Sequence, residues 1–125
     1  MSLQQSTPVA FLYVSDRDRA LRYYCDTLGF TLRSADEHGD FIDMGPALAR
    51  MTVMPDHQPS QHPVLGWNVA DITASAQALR VRGVEFTIYE GMGQDELGIW
   101  TAPDGNSKVA FFADPDGNVL SLSQA

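Results

Sequence analysis

The two halves of the chain begin in the same way, and this internal repeat restricts the fold more than any other feature of the sequence. Residues 9–16 read VAFLYVSD and residues 64–71 read VLGWNVAD, so each is an apolar run that ends in an aspartate. In both halves a segment of helical length follows, and then a glycine and a β-rich run. A repeat of this kind indicates that one supersecondary unit occurs twice. We therefore predict two copies of the same module.

Helices and further strands follow each aspartate. Asp16 and Asp71 are suitable N-caps, and the apolar residues after them recur at helical spacing until Gly29 and Gly83. Each half is thus predicted to be a strand, a helix and then several strands. Alternation and turn residues place the later strands at about 30–33, 40–44 and 48–54, and at about 86–90, 97–102, 108–113 and 119–123.

The length of the chain favours one domain. With 125 residues it is long enough for a single domain and short for two. The modules, at about 8–55 and 63–124, are expected to share one core in a domain that covers residues 8–124. Residues 55–63 lack apolar periodicity and are predicted to link the modules, and residues 1–7 are predicted to be a flexible N-terminal tail.

Charge and hydropathy exclude several classes of partner. A net charge of −8 argues against binding to nucleic acid or to an anionic membrane surface, and favours cationic or mixed-charge ligands. No apolar run approaches the roughly 20 residues of a membrane helix, and no basic segment precedes an apolar stretch. A soluble, cytoplasmic protein is expected.

Common catalytic motifs are missing from the sequence. Residues 91–96 read GMGQDE, which begins like a phosphate loop but lacks the third glycine and carries two acids. We predict a flexible loop there, in a position to act as a lid. The chain has no Gly-x-Ser-x-Gly and no Cys-x-x-Cys motif, so hydrolase and dithiol redox activities have no support.

The order of the elements, with two short motifs, resembles the vicinal oxygen chelate superfamily, which includes glyoxalase I, the bleomycin resistance proteins and the extradiol dioxygenases. The motifs are Leu-Gly-Phe at residues 28–30 and FADPDGN at residues 112–118, and the resemblance covers about residues 8–124. It implies an α+β fold in which two tandem β-α-β-β-β modules form a curved, cup-shaped mixed sheet with the helices outside. It also implies a homodimer.

The resemblance implies a metal site whose ligands are missing here. Members of the family hold a divalent metal with His, Glu or Gln from the first and last strand of each module. The corresponding positions in this chain are Val9, Val64, Ser121 and, with a less definite alignment, Thr52. Two valines and two hydroxyls do not replace a ligand set for Zn²⁺ or a harder cation. We predict that the family metal site is absent and that no cofactor is bound.

The same positions indicate which side of each strand faces the cup, because side chains alternate along a strand. On that side Gly66 is expected to leave room, and an inward Arg50 needs an anionic partner, either a carboxylate such as Asp43 or a ligand. The alternative is that the apolar residues fill the cup as ordinary core. The predicted ligand-binding residues are Phe11, Tyr13, Arg50, Asn68 and Ser121.

The leading hypothesis is a metal-independent small-molecule-binding protein, similar to the bleomycin resistance proteins, whose ligand the sequence does not identify. The alternative is an enzyme of the same superfamily. It would be a metal-dependent glyoxalase-like lyase or dioxygenase, or a metal-free isomerase with Asp43 or Glu90 as general base. A structural or interaction domain is a third class. Whether the chain is an enzyme stays open at this point.

Overall fold

Two modules with the same order of elements make up the chain, as the repeat predicts. The computed structural model describes residues 2–125. It contains two compact units, of which the first ends at Gln58 and the second begins at Pro59. Each unit holds one mixed four-stranded sheet and one helical segment, so the fold is α+β. That both modules belong to a single domain stays a prediction.

The first unit opens with a 3-10 turn at Leu3–Gln5 and then forms a sheet in the order β1-β4-β3-β2. Strand β1 runs parallel to β4, and the other neighbours are antiparallel. The hairpin of β2 and β3 has a register shift between Leu32 and Ser34. The elements of this unit are β1 (Val9–Val14), α1 (Arg17–Leu21), a π-helical turn (Arg22–Thr27), β2 (Thr31–Asp36), β3 (Gly39–Asp43) and β4 (Leu48–Val53).

The second unit repeats this topology. Its sheet has the order β5-β8-β7-β6, with β5 parallel to β8 and the remaining pairs antiparallel. The repeat seen in the sequence is therefore a repeat of topology, and the prediction of two tandem modules is confirmed. The elements are β5 (Pro63–Asn68), α2 (Ile72–Val81), β6 (Trp100–Thr101), β7 (Lys108–Ala113) and β8 (Val119–Gln124).

Both helices begin at the predicted aspartates. Asp16 Oδ1 accepts a hydrogen bond from the Arg19 amide and Asp71 Oδ1 accepts one from the Ala74 amide, each at 3.1 Å. The first helix is α-helical for only five residues before it widens into the π-helical turn, a change that apolar spacing alone does not reveal. A membrane-spanning helix needs about 20 mainly apolar residues, and no helix within residues 2–125 meets that requirement.

Strands alternate between a buried and an open face, as the sequence predicts. Leu12 and Val14 of β1 are buried, and so are Leu120 and Leu122 of β8. The residues between them in β1 and β8 are exposed or half-buried. Leu65 and Trp67 of β5 are half-buried, and so is Val69 just after it. The core of each unit therefore lies on one side of its sheet.

An ion pair between the part-exposed Arg17 and the buried Asp40 links the start of α1 to β3. Arg17 donates from Nε to Asp40 Oδ2 at 3.0 Å and from Nη2 to Asp40 Oδ1 at 2.8 Å. Arg17 Nη2 also donates to the carbonyl of Gly39 at 3.0 Å. The hydrogen bond to Asp40 raises the pKa of Arg17, and Asp40 itself is almost fully buried. The pair satisfies a carboxylate that would otherwise be costly to bury.

The strand predicted at 86–90 does not form, and the one predicted at 97–102 shortens to β6. Only Phe86 pairs with a strand, through an isolated bridge to Phe112. The Gln94 side chain makes hydrogen bonds to backbone groups that a longer strand would use to pair with its neighbour. Its Oε1 accepts from the Tyr89 amide at 2.7 Å, and its Nε2 donates to the carbonyls of Thr87 at 2.9 Å and Gly98 at 2.8 Å. The loop predicted at 91–96 is thus held by side-chain hydrogen bonds.

Candidate functional site

Three of the five predicted ligand-binding residues lie on the open face of the first sheet. One row of paired residues crosses the sheet from Phe11 on β1 through Arg50 on β4 to Phe41 on β3. Tyr13 lies two residues further along β1 and therefore on the same side. Phe11 is 66% exposed and Tyr13 is 39% exposed. The fold therefore brings Phe11, Tyr13 and Arg50 together on one face with accessible aromatic rings.

Arg50 is held by an ion pair and an aromatic ring. Its Nη2 donates to Oδ1 and Oδ2 of Asp36 at 2.9 and 3.0 Å, and its Cζ lies 4.8 Å from the centroid of the Phe41 ring. The side chain is only 15% exposed. Its Nη1 is shielded from solvent and has no hydrogen-bond partner within residues 2–125. One charged donor on this face is therefore unsatisfied.

The sequence suggested Asp43 as the carboxylate beside Arg50, and the structure corrects this. Asp43 Oδ1 instead accepts from the Gly45 amide at 2.9 Å, in the turn after β3. Asp36, the actual partner, ends β2 just before the hairpin turn, and the shifted register of that hairpin sets its position. Phe41 was also missed, although it has the same parity as Asp43 in β3.

The hydrogen bonds that hold Asp36 also lower its pKa to about 2. The largest cause is the hydrogen bond from Arg50, and the next is the backbone hydrogen bond from His38. Oδ1 accepts from the amides of His38 at 2.8 Å and Gly39 at 3.0 Å, which closes the hairpin turn. Asp36 is thus ionised over the whole physiological pH range and keeps the Arg50 guanidinium in one orientation.

A histidine that the sequence placed in the linker approaches this face. The ring centroids of His57 and Tyr13 lie 5.9 Å apart at an interplanar angle of 42°. The turn that brings His57 there is set by backbone hydrogen bonds, from the Met54 amide to the Val14 carbonyl at 2.7 Å and from the His57 amide to the Met54 carbonyl at 3.0 Å. Linker residues without periodicity carry no signal for such a contact, so the sequence did not identify it.

The other two predicted residues lie on the open face of the second sheet. Ser121 pairs with Gly66 and with Phe111, and Asn68 pairs with Ser123, whose hydroxyl donates to Asn68 Oδ1 at 3.4 Å. The sequence suggested that Gly66 leaves room. A β-carbon at that position would overlap Ser121 Oγ, so the serine hydroxyl already occupies the space.

The pairing of the strands corrects the alignment of the two modules. In both modules the first residue of the fourth strand pairs with the last residue of the third strand. Arg50 and Ser121 are then each the third residue of that fourth strand, opposite Phe41 and Phe111 respectively. The position in the first module that corresponds to Ser121 is therefore Arg50, and Thr52 is two residues away.

The residues at these positions do not fit a divalent metal. Val9 and Val64 have no donor atom, and each is exposed by more than two fifths. Ser121 offers one hydroxyl, and the guanidinium of Arg50 is a cation that repels a metal ion. Within residues 2–125 no group of three or more His, Cys, Asp or Glu side chains is placed to hold a metal.

Two surface clefts border α2 in the second unit. One has a volume of about 440 Å³ and the other of about 250 Å³, and both are lined by Arg80, Glu96 and Leu97. None of the five predicted ligand-binding residues lines either cleft. The predicted residues therefore lie outside these clefts, on the open sheet faces, and the first face has the better defined donor.

Solved structures with the same fold cover nearly the whole chain. A glyoxalase/bleomycin resistance protein/dioxygenase from Alicyclobacillus acidocaldarius superimposes with a TM-score of 0.74 at 18% identity, over 99% of this chain and 94% of that chain. A glyoxalase family protein from Enterococcus faecalis gives a TM-score of 0.73 at 19% identity, over 98% and 99%. An antibiotic binding protein from a Streptomyces species gives 0.68 at 23% identity, over 99% and 98%.

Sequence comparison agrees with the shared fold. A search of curated proteins gives no match. The family model described as "Glyoxalase/Bleomycin resistance protein/Dioxygenase superfamily" matches residues 7–122, which is most of the chain and includes both modules. Since the match spans both repeats and the topology of each is the same, the chain belongs to the glyoxalase/bleomycin resistance protein/dioxygenase superfamily.

Proposed function

We propose that this protein binds a small organic molecule without a metal ion. The observation that carries the proposal is the unsatisfied Nη1 of Arg50, on a face with exposed aromatic rings. Sites for small molecules combine apolar and aromatic surface with a few polar groups that orient the ligand. Phe11 and Tyr13 provide the aromatic surface, and Arg50 provides the polar group that orients the ligand.

Exposed aromatic rings on a sheet face favour a binding role over a role as core. A Phe side chain gains roughly 1.5–3 kcal/mol when it is fully buried, and Phe11 realises little of this in the free protein. A planar ligand on Phe11 and Tyr13 would recover part of that free energy. Asn68 and Ser121 are polar residues on the open face of the second sheet, and we propose them as ligand-binding residues of that face.

Two further observations support binding over catalysis. The structurally similar Streptomyces protein is an antibiotic binding protein, and this supports a binding role here. Asp43 and Glu90, the general bases considered for a metal-free isomerase, are both exposed, and Asp43 Oδ1 is occupied by a backbone amide. The homodimer that the resemblance implies and the cytoplasmic location that the hydropathy of the chain predicts belong to this proposal as expectations.

Elemental analysis tests the metal-free part of the proposal. The protein is purified without a metal-affinity step, incubated separately with Ni²⁺, Zn²⁺, Mn²⁺ and Fe²⁺, and desalted. We expect retained metal far below one equivalent in every case. Near-stoichiometric retention of any of the four ions would contradict the proposal and would favour a metal-dependent lyase or dioxygenase.

A fragment screen tests the binding part. Amide chemical shifts of the ¹⁵N-labelled protein are recorded with a library of small aromatic compounds. We expect several compounds to shift the amides of Phe11, Tyr13 and Arg50 in a saturable way. Compounds that shift only residues around the clefts beside α2 would place the site elsewhere and would refute the assignment to the sheet face.

A further inference from the structure

We infer that Arg50 binds an anionic oxygen of the ligand, and that the ligand is a planar aromatic acid whose carboxylate is bonded to the ring or is one atom away from it. This inference rests on the proposed function and specifies the ligand class for the same site. It combines an unsatisfied guanidinium nitrogen with the exposed rings beside it on β1.

The guanidinium nitrogen that we assign to the ligand is Nη1. Asp36 occupies Nη2 through both carboxylate oxygens, and Phe41 covers one face of the group. Nη1 has no acceptor within residues 2–125 and is shielded from solvent. A ligand oxygen at Nη1 would therefore gain a charge-assisted hydrogen bond without displacing a hydrogen-bonded water.

An oxygen reaches Nη1 only if a neighbouring side chain moves. Phe11 is the partner of Arg50 on β1 and is mostly exposed, so few contacts oppose a change of its rotamer. The Phe11 ring is already 66% exposed and is available for stacking with a ligand. Entry of the ligand and exposure of Nη1 are thus expected to occur together.

The spacing of the side chains limits the size of the ligand. Neighbouring strands are about 4.8 Å apart, and residues two apart in a strand are separated by about 6.6 Å. Aromatic rings pair with their centroids about 4.5–7 Å apart. A ring that stacks on Phe11 or Tyr13 can therefore direct an oxygen to Arg50 only if the carboxylate is bonded to the ring or is one atom away from it.

The charge of the protein makes this site selective. A net charge of −8 repels anions at a distance, and Asp36 repels them locally. An aromatic acid binds only if the free energy gained from the hydrogen bond with Nη1 is larger than the free energy lost to this repulsion. Substitution of Asp36 by Asn removes the local repulsion. It keeps Oδ1, which accepts hydrogen bonds from the amides of His38 and Gly39 and from Arg50 Nη2, so the guanidinium stays oriented.

The test uses three probes that share one ring system: 2-naphthoate, 2-naphthamide and 2-naphthylmethylammonium. Dissociation constants are measured by amide chemical-shift titration for the wild type and for three variants, Arg50→Met, Asp36→Asn and Arg22→Met. Arg22 is exposed in the π-helical turn, so Arg22→Met is a control with the same loss of charge.

We expect 2-naphthoate to bind the wild type at least about tenfold more tightly than 2-naphthamide, the lower range for a hydrogen bond to a charged group. Arg50→Met should remove this difference, and Arg22→Met should keep it. Asp36→Asn should tighten binding of 2-naphthoate several-fold and leave 2-naphthamide unchanged. The last variant serves as an independent test if Arg50→Met fails to fold.

The remaining outcomes separate this inference from the proposed function. If 2-naphthamide or 2-naphthylmethylammonium binds the same face as tightly as 2-naphthoate, the acid specificity is wrong and the binding function stands. If none of the three probes shifts the amides of Phe11, Tyr13 or Arg50 while other aromatic fragments do, the inference about the ligand class is wrong and the proposed binding function stands. If no aromatic compound shifts them, both are wrong.

Discussion

Asp36 and Arg50 form an ion pair that passes over the strand between them. Nη2 of Arg50 on β4 donates to both oxygens of Asp36 on β2, and the guanidinium lies over the Phe41 ring of the intervening β3. Both charges therefore have fixed positions on an otherwise open sheet face. This arrangement orients Nη1, which is the donor that the proposed ligand needs.

The pKa of Asp36 reports this pair directly. In Arg50→Met we expect it to rise from about 2 toward the ordinary value near 3.9, but not to reach it, because the amides of His38 and Gly39 still donate. The measurement is a pH titration of the carboxyl ¹³C shift of Asp36. Arg22→Met serves as control and should leave the pKa near 2. An unchanged pKa in Arg50→Met would show that the ion pair does not form in solution.

The lowered pKa of Asp36 also predicts that the stability of the protein depends on pH. A carboxyl whose pKa is lower in the folded state binds fewer protons there than in the unfolded state. Its stabilising contribution is therefore complete above the unfolded value near 3.9 and is lost as the pH falls to about 2. The difference in unfolding free energy between the wild type and Arg50→Met should be constant from pH 7 to about pH 5. It should then narrow toward pH 2.

Sequence patterns predicted the features of this fold that depend on neighbours in the chain. The N-caps Asp16 and Asp71 and the alternating faces of β1 and β8 follow from local geometry, and the structure confirms them. The partner of Arg50 did not follow, because it depends on a hairpin with a shifted register. The strand predicted beyond Phe86 did not form, because the Gln94 side chain makes hydrogen bonds to backbone groups of that segment that strand pairing would use.

The corresponding asparagines of the two Pro-Asp-Gly-Asn turns should differ in their effect on stability. These turns lie at residues 103–106 and 115–118. Asn118 is 2% exposed, and its Nδ2 donates to Oδ2 of the buried Asp114 at 2.9 Å, whereas Asn106 is exposed. We expect Asn118→Ala to lower the unfolding free energy by about 1–3 kcal/mol because the buried carboxylate loses a donor. Asn106→Ala should change it by less than about 0.5 kcal/mol. Urea denaturation compares them, and equal losses would show that burial does not distinguish the two turns.

Gly66 and Ser121 should be strongly coupled in a double-mutant cycle. A β-carbon at residue 66 would overlap Ser121 Oγ, so Gly66→Ala should cost roughly 1–3 kcal/mol in the wild type. In a Ser121→Ala background the overlap with Oγ is gone. The φ angle of Gly66 is not positive, but the new β-carbon still lies 3.2 Å from the Ser121 carbonyl oxygen, so the same change should cost clearly less than in the wild type. An equal cost in both backgrounds would mean that the overlap with the serine hydroxyl does not limit this position.

Gln94 should control the opening of the segment that follows α2. Its side chain makes three hydrogen bonds to the backbone, from the Tyr89 amide and to the carbonyls of Thr87 and Gly98. Each such bond contributes about 0.5–1.5 kcal/mol, so Gln94→Ala should speed hydrogen exchange of the Tyr89 amide by tenfold or more. Gln77→Ala, at an exposed position in α2, is the matched control and should leave that rate unchanged. If the Tyr89 amide exchanges equally fast in the wild type and in Gln94→Ala, the segment is already open in solution and the flexible loop predicted from the sequence is the better description.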